Sequence, residues 1–267
     1  MDRLVSIEEP IALDEVYVGA TRPSRAIMKK VLSAVHRFKL IEPGDRIAVG
    51  CSGGKDSLLM IAVFRELFRR ADFDFEFRVI HLDQQQPGFD HDQFHRTLER
   101  LGVECEVISR DTWSVVEERL RPGQIPCSIC SRLRRGILNE WCAERGFNKL
   151  AMGHHLDDAV ETFFLNLFFG RRLEPLKPFT PTTAARGPTT IRPMILVDET
   201  RIKGWLSDAG LRAVACPVCD EFPASKRRDT KALIGQLSSR FPDLKASVES
   251  ALYENPKSVE RLLVSEN

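Results

Sequence analysis

The sequence predicts an α/β protein built on a doubly wound parallel sheet, with a helical extension at its C-terminal end. Between residues 46 and 169, short apolar runs of strand length alternate with longer amphipathic runs of helical spacing. Such alternation is typical of a parallel sheet that helices cover on both faces. Beyond residue 196, helical patterns follow one another without strands. A chain of 267 residues is long enough for one domain of about 150–200 residues and an accessory element.

The first half of the chain supplies a helix and then three strand–helix pairs. Residues 1–24 show no clear period and are interpreted as an N-terminal arm. Residues 24–40 have helical spacing, with Ile27, Val31 and Val35 on one face. We then expect strands at 46–49, 75–82 and 103–109, and helices at 58–70, 90–101 and 112–120.

The second half continues the alternation and then becomes helical. We expect strands at 149–152 and 190–194, helices at 131–145, 157–169, 199–209, 225–239 and 244–254, a long loop with four prolines at 171–190 and a Cys-bearing turn at 213–223. These elements predict three units: the arm 1–24, a main α/β domain 25–195 that includes the first Cys pair, and a C-terminal helical region 196–267 that carries the second.

The stretch Ser52-Gly-Gly-Lys-Asp-Ser57 joins the first strand to the next helix. Glycines permit a tight turn and a close backbone approach, and the free N–H groups of a helix start attract phosphate. The stretch is not a Walker A loop, because that motif has Gly where this chain has Val49 and Ser or Thr where it has Asp56. A carboxylate beside a phosphate predicts a bridging Mg²⁺. The alternative is an ordinary Gly-rich turn. The candidate phosphate-binding residues are Ser52, Gly53, Gly54, Lys55, Asp56 and Ser57.

A second strand-to-helix junction, Gly153-His-His-Leu-Asp-Asp158, carries two adjacent carboxylates. Asp157 and Asp158 could serve simply as favourable groups at a helix start. Beside a phosphate loop, either carboxylate could instead hold Mg²⁺ on a phosphate group or orient an attacking oxygen. His154 and His155 lack the i, i+4 spacing of helical zinc ligands.

The carboxyl ends of the predicted strands gather these motifs at one edge of the sheet. Ser52 follows one strand, Asp83 follows the next and Gly153 follows a third. Ligands of open α/β sheets bind in the crevice outside such strand ends, so we expect a single site there. Asp83 and Gly153 join the candidate nucleotide-binding residues. The candidate catalytic carboxylates are Asp56, Asp157 and Asp158.

Two Cys-x-x-Cys pairs, Cys127/Cys130 and Cys216/Cys219, suggest a shared metal. The long gap between the pairs is unlike the tight spacing of a zinc ribbon, so zinc, an iron–sulfur cluster and unliganded thiols all stay open. The first pair is expected just before the helix 131–145. The other three cysteines are interpreted as small buried residues: Cys51, Cys105 and Cys142.

Composition and charge indicate the surroundings of the protein. No apolar run approaches the ~18 residues of a membrane span, and the start lacks a signal-peptide pattern, so we expect a cytoplasmic protein without a membrane partner. In a reducing compartment, an odd number of cysteines, seven, favours ligands or nucleophiles over disulfides. With 39 basic and 38 acidic residues, any nucleic-acid surface must be local. The candidate basic clusters are Arg132, Arg134 and Arg135; Arg171, Arg172 and Lys177; and Lys226, Arg227 and Arg228.

The 52–57 stretch resembles the PP-loop of the ATP pyrophosphatase superfamily, whose members cut ATP between the α- and β-phosphates. Together with other segments it makes the chain similar to the tRNA 2-thiocytidine synthetase family. Those segments are Leu82-Asp-Gln-Gln-Gln-Pro-Gly-Phe89, Pro126-Cys-Ser-Ile-Cys-Ser-Arg-Leu-Arg-Arg-Gly-Ile-Leu138, Gly153-His-His-Leu-Asp-Asp158 and a Pro-x-Cys motif near Cys216. The similarity runs from about Ser24 to beyond Arg228. It implies that 25–195 is a PP-loop ATP-binding domain of the adenine-nucleotide alpha-hydrolase-like fold.

The resemblance also implies an activity. This family thiolates a cytidine of the tRNA anticodon loop, at tRNA position 32: ATP adenylates the C2 oxygen of the base, and sulfur then displaces AMP. The implied cofactors are ATP, Mg²⁺ and a [4Fe-4S] cluster held by Cys127, Cys130 and Cys216, with Cys219 as a spare. The implied partners are tRNA and a cysteine desulfurase as sulfur donor, and a homodimer stays open.

Two alternatives differ in acceptor or in class. A related PP-loop sulfurtransferase could act on a uridine or another acceptor. However, the tRNA 2-thiouridine synthetases add terminal zinc-binding Cys pairs, and this chain has no Cys before Cys51 or after Cys219. A non-catalytic nucleotide-binding carrier of an iron–sulfur cluster or zinc is the third hypothesis. The familiar tRNA 2-thiocytidine synthetases are also more basic and extend further at the C-terminus than this chain.

Overall fold

The computed structural model describes residues 21–121, 124–182, 187–218 and 226–263. Six strands in this part of the chain form one sheet: β1 (Arg46–Gly50), β2 (Glu76–Asp83), β3 (Cys105–Ser109), β4 (Lys149–Ala151), β5 (Phe179–Thr180) and β6 (Thr189–Ile191). Their order across the sheet is β3-β2-β1-β4-β6-β5, and every neighbouring pair is parallel except β5–β6. The predicted α/β class is therefore confirmed.

The helices follow the strands in the predicted alternation. They are α1 (Arg25–Phe38), α2 (Lys55–Arg70), α3 (His91–Leu101), α4 (Trp113–Arg119), α5 (Cys127–Arg145), α6 (Leu156–Leu165), α7 (Glu199–Asp208), α8 (Lys226–Arg240), α9 (Leu244–Glu249) and α10 (Pro256–Leu263). Two π-helical turns, Asn166–Gly170 and Ser250–Glu254, directly follow α6 and α9. In the ranges that the structure describes, no helix is both long and apolar enough to cross a membrane.

Both faces of the sheet are buried under helices. Since side chains alternate along a strand, each strand contributes to both buried faces. On one face, Ile47 and Val49 of β1 pack in a large apolar cluster with α1, α2 and α7. On the other face, Ala48 of β1 packs with Leu138 and Trp141 of α5. This two-sided burial fixes the register of β1, whose carboxyl end leads directly into the 52–57 loop.

Helix α5 begins at Cys127, four residues before its predicted start. Pro126 precedes it with a helical φ of −66°, and its carbonyl accepts the backbone N–H groups of Ile129 and Cys130 at 3.0 Å. Proline is favourable at a helix start because its φ is already fixed near the helical value. The expectation that the first Cys pair precedes the helix is therefore wrong. Cys127 and Cys130 occupy its first turn.

Other elements also differ from the predicted ones. The expected loop 171–190 contains β5, which adds an antiparallel edge to the sheet through the pairs Phe179–Ile191 and Thr180–Thr190. The helix expected to continue to residue 169 changes into the π-helical turn after Leu165. Helix α10 was not predicted at all.

The C-terminal helices pack on the main sheet domain. Leu156 and Val160 of α6 form an apolar cluster with Ile234 of α8. Tyr253 is fully buried, and its hydroxyl donates to the carbonyl of Leu176 at 2.7 Å. The division at residue 195 stays a prediction, and most of the predicted arm 1–24 lies outside the described residues.

Candidate functional site

A cleft of about 440 Å³ opens at the carboxyl ends of β1, β2 and β4. Ser52, Asp83 and Gly153 all line it, as expected from the strand ends. Its other lining residues come from the 52–57 loop, the Gln-rich segment after β2, the first turns of α5, α6 and α8, and the Cys216 segment: Gly54, Asp56, Ser57, Gln84, Gln86, Cys127, Cys130, Ser131, Arg134, His154, Asp158, Cys216 and Arg227 among them. The volume suits a small-molecule ligand.

The 52–57 loop is held in shape by its own hydroxyl groups. Ser57 Oγ donates to the carbonyl of Gly54 at 2.9 Å and accepts the backbone N–H of Ser52 at 3.1 Å. Helix α2 begins at Lys55, three residues earlier than predicted, so the loop runs directly into a helix N-terminus. A fixed loop with helix N–H groups at its end is suited to bind a phosphate.

A hydrogen bond ties the Cys216 segment to this loop. Gly53 has φ of 79°, a conformation that favours glycine, and its carbonyl accepts the N–H of Val214 at 2.9 Å. The site of a Cβ on Gly53 is only 3.0 Å from the Phe94 ring and 3.3 Å from Val214. Cys216 follows two residues later, which explains how a cysteine far along the sequence reaches the cleft.

The Lys55 amino group turns toward two carboxylates. It lies 2.9 Å from Asp56 Oδ1 and 3.2 Å from Glu199 Oε1, and Lys55 is not among the residues that line the cleft. Burial lowers the pKa of Lys55, but the hydrogen bonds to Asp56 and Glu199 outweigh it, so the pKa is raised overall. Glu199 also contacts Lys203 and Lys231, each at 3.2 Å. Burial raises the pKa of Glu199, whereas the hydrogen bonds from Lys231 and Lys55 lower it to about 2.

The adjacent carboxylates Asp157 and Asp158 have different surroundings. Asp157 is buried; its Oδ2 accepts the backbone N–H of Glu199 at 2.7 Å and its Oδ1 pairs with Lys245. Burial raises the pKa of Asp157, but the hydrogen bonds from Lys245 and from the Glu199 N–H lower it by more. The net pKa is therefore lowered, and the carboxylate is held ionised. Asp158 lines the cleft, and its Oδ2 accepts the N–H of His155 at 3.0 Å. Of the two carboxylates, Asp158 is the one placed to meet a ligand.

His155 lies between the two carboxylates of the cleft. Its Nε2 is 3.5 Å from Asp56 Oδ1 and 3.5 Å from Asp158 Oδ2, so the first turns of α2 and α6 bring both acids to one imidazole nitrogen. His154 also lines the cleft, and burial lowers its pKa to about 4. His154 is therefore neutral near pH 7. Sequence spacing gave neither histidine a role, because the contact between His155 and Asp56 joins residues far apart in the chain.

Four cysteines line the same cleft, and three of them belong to the predicted Cys-x-x-Cys pairs; the fourth is Cys51, directly after β1. Cys127 and Cys130 come from the first turn of α5, and Cys216 comes from the segment tied to Gly53. Burial raises the pKa of the Cys130 thiol, and the nearby thiols of Cys127 and Cys216 raise it further. Gln86 Nε2 lies 4.0 Å from Cys130 Sγ.

The remaining cysteines were predicted to be small buried residues or, for Cys219, a member of the second pair. Cys51 and Cys142 are buried, as predicted, and Cys105 is half-buried, although Cys51 also contributes to the lining of the cleft. Cys219 lies outside the described residues. Within the described ranges, no three His, Cys, Asp or Glu side chains are grouped as ligands of a single metal ion.

Two of the predicted basic clusters each send one side chain into the cleft. Arg134 and Arg227 line it. Arg227 pairs with Asp158, and its Nε donates to Glu161 at 2.8 Å. Glu161 is buried, so Arg227 pairs with an acid below the surface. The sequence alone did not indicate this partner.

The fold and this cleft define a nucleotide-binding α/β protein, and the model of a PP-loop domain matches residues 24–217. The chain is 37% identical over 228 residues to the tRNA-cytidine(32) 2-sulfurtransferase of Burkholderia lata, covering 85% of this chain and 69% of that protein. It is 36% identical over 226 residues to the protein of the same name from Bdellovibrio bacteriovorus, covering 85% and 86%. The chain belongs to the tRNA-cytidine(32) 2-sulfurtransferase family, which confirms the predicted resemblance.

A solved structure supports the fold. The U34-tRNA thiolase NcsA from Methanococcus maripaludis, determined with its [4Fe-4S] cluster, matches with a TM-score of 0.64 at 22% identity. The match covers 90% of this chain and 80% of that one. At this identity the likeness concerns the chain fold.

Proposed function

We propose that this protein thiolates a cytidine of tRNA, at position 32 of the anticodon loop, in an ATP-dependent reaction. The observation that carries the proposal is that one cleft is lined by residues of the 52–57 loop and by Cys127, Cys130 and Cys216. In the reaction, the C2 oxygen of the base attacks the α-phosphorus of ATP and pyrophosphate leaves. Sulfur then bonds to C2, and AMP leaves with the original oxygen. The 52–57 loop suits the adenylation step, and the cysteines suit the sulfur-transfer step.

The chain's own groups account for ATP binding. We assign the phosphates to the backbone of Gly53 and Gly54, to the hydroxyls of Ser52 and Ser57, and to the N-terminus of α2. Lys55 adds positive charge at this helix start while Asp56 and Glu199 hold its amino group. Asp83 and Gly153 form the walls of the cleft on either side.

Asp56 and Asp158 fit a magnesium site. Both line the cleft, both approach His155 Nε2 at 3.5 Å, and both offer the carboxylate oxygens that Mg²⁺ prefers. When bound there, Mg²⁺ would neutralise the charge of the departing pyrophosphate. We assign Asp157 a positioning role, because its carboxylate fixes the starts of α7 and α9 relative to α6.

Cys127, Cys130 and Cys216 fit a [4Fe-4S] cluster. Iron–sulfur clusters take thiolate ligands, and these three thiols line one cleft, where Cys127 and Cys216 both lie near Cys130. Such a cluster, held by three thiolates, would supply one iron with an open coordination position for the sulfur to be transferred. Gln86, whose Nε2 lies 4.0 Å from Cys130 Sγ, would orient the Cys130 thiolate as a ligand.

The remaining assignments concern partners. Arg134 and Arg227 give the cleft cationic groups that suit a polyanionic substrate such as tRNA. We further propose a cysteine desulfurase as the sulfur donor and the cytoplasm as the location.

Substitution of the cysteines tests the proposal. In anaerobically purified protein, Cys127→Ala, Cys130→Ala and Cys216→Ala are each expected to abolish the broad visible absorbance and the bound iron, and with them the 2-thiocytidine product. Cys219→Ala is the matched control and is expected to keep both. Wild-type protein that contains zinc and no iron, or full thiolation by Cys127→Ala, would contradict the assignment. Thiolated uridine in place of thiolated cytidine would favour the related acceptor.

A further inference from the structure

An exposed aromatic and basic surface lies where α6 ends. The π-helical turn Asn166–Gly170 exposes Leu167, Phe168 and Phe169 to 41%, 45% and 52%, and Leu173 beyond it is 76% exposed. Two exposed arginines lie between them. We call this surface the Phe168 patch; its members are Leu167, Phe168, Phe169, Arg171, Arg172 and Leu173.

The aromatic rings of the patch are held in a defined arrangement. Phe168 lies 5.5 Å from Phe164 with the ring planes tilted by 32°, and Phe169 lies edge-on to Phe168 at 6.3 Å. Phe164 in turn packs against the apolar cluster of α6 and α8. Contiguous exposed apolar groups on a fixed scaffold mark a surface that binds another molecule.

Charge decides which kind of molecule fits. Lys226 Nζ lies 4.8 Å from the centre of the Phe169 ring, and Arg171 and Arg172 lie in the patch itself. An acidic residue, Glu174, lies 3.5 Å from Arg172, with both side chains about 60% exposed. Exposed aromatic rings bordered by cations are the combination that single-stranded nucleic acid requires, since bases stack and phosphates pair.

A second copy of the chain fits less well. In a two-fold symmetric dimer, a patch meets the same patch of its partner. The cations Arg171, Arg172 and Lys226 of one copy would then face those of the other. Such an arrangement brings like charges together, whereas RNA brings the opposite charge.

The patch lies beside the cleft. Helix α6 begins at the cleft, where Asp158 lines it, and Phe168 follows ten residues later, about 15 Å along the helix axis. The start of α8 joins the two regions. Arg227 pairs with Asp158 while the adjacent Lys226 lies over Phe169.

We propose that unpaired bases next to the target cytidine stack on Phe168 and Phe169, while Arg171, Arg172 and Lys226 neutralise the adjoining phosphates. This inference rests on the proposed function, because it takes the tRNA loop as the substrate. It assigns the patch to substrate binding. Loss of the patch therefore raises KM for tRNA and leaves the rate at saturating tRNA close to that of the wild type.

A double variant with a matched control tests the inference. Phe168→Ala combined with Phe169→Ala is expected to weaken binding of a fluorescent anticodon stem-loop RNA by about tenfold or more, measured by anisotropy. Phe241→Ala is the control: Phe241 is 53% exposed and lies beside Arg240, at the other end of α8 from Lys226. It is expected to bind like the wild type. Phe168→Trp combined with Phe169→Trp keeps the stacking surface and is expected to retain binding.

The outcomes separate this inference from the proposed function. Wild-type protein that neither binds nor thiolates tRNA would overturn both. Wild-type thiolation together with unchanged RNA binding by the double alanine variant would overturn the patch alone. Sedimentation that shows a dimer in the wild type and a monomer in the double variant, with RNA affinity unchanged, would assign the patch to a second copy and overturn the inference.

Discussion

Gly153 lies where the chain leaves β4 and passes closest to the start of α2. A Cβ at this position would lie 3.1 Å from the carbonyl carbon of Asp56, 3.2 Å from its oxygen and 3.2 Å from the backbone nitrogen of Ser57. Carbon atoms in ordinary contact are about 3.5–4.0 Å apart. The neighbours are backbone atoms of the 52–57 loop, so no side chain can rotate away. In Gly153→Ala, the loop or the end of β4 must move.

The size of this effect follows from the contacts. Overpacking of this kind costs about 1–3 kcal/mol, which corresponds to a fall in Tm of a few degrees for a chain of this size. Asp56 and Ser57 would move with the backbone. Because a 1 Å displacement of reacting groups costs roughly 100-fold in rate, we expect a shift of a few tenths of an ångström to slow tRNA-dependent pyrophosphate release by about three- to sixfold.

The matched control is Gly204→Ala in α7. No atom lies within 4 Å of a Cβ built at Gly204, and alanine is favoured over glycine inside a helix by about 1 kcal/mol. Thermal unfolding should therefore give an equal or higher Tm, and pyrophosphate release should be unchanged. Wild-type Tm and wild-type pyrophosphate release in Gly153→Ala would refute the view that this glycine keeps the 52–57 loop in place.

Two further predictions concern the carboxylates. Asp157→Asn should lower the free energy of unfolding by about 2 kcal/mol in denaturant titrations, since it removes the charge that pairs with Lys245. Asp158→Asn, at the cleft, should chiefly reduce pyrophosphate release. The reverse pattern would contradict the roles assigned to the two carboxylates. The pKa of Glu199 is held at about 2 in the folded protein, below its unfolded-state value near 4.3. The contribution of the Glu199 carboxylate to the free energy of unfolding is therefore complete above about pH 4.3 and is lost as the pH falls toward 2. The stability difference between wild type and Glu199→Gln, measured by denaturant unfolding, should therefore be about 1–2 kcal/mol at pH 7 and near zero at pH 2; a difference independent of pH would count against it.

The central part of the fold and the 52–57 loop could be predicted because their signals are local. A buried strand, two glycines and a helix start are adjacent in the chain, and the alternation of strands and helices indicated the parallel sheet. Strand β5 was missed because it has two residues in a proline-rich segment, and its pairing with β6 exists only in the folded sheet. Local propensity carries no information about such a contact.

The different roles of Asp157 and Asp158 could not be predicted from local sequence. Asp157 and Asp158 are neighbours of identical chemistry, but successive residues on a helix point in different directions. Asp157 therefore meets Lys245 and Asp158 meets the cleft. The position of Cys216 likewise depends on the hydrogen bond between Val214 and Gly53, which joins residues far apart in the chain.

Nucleoside analysis of treated tRNA tests the central claim most directly. The protein with its cluster reconstituted is incubated anaerobically with unmodified tRNA, Mg²⁺, sulfide and ATP, and the digested nucleosides are examined by mass spectrometry. We expect 2-thiocytidine, formed only when ATP is present and accompanied by equal amounts of AMP and pyrophosphate. Pyrophosphate release without 2-thiocytidine, or 2-thiocytidine formed without ATP, would contradict the claim that one cleft activates the base and delivers the sulfur.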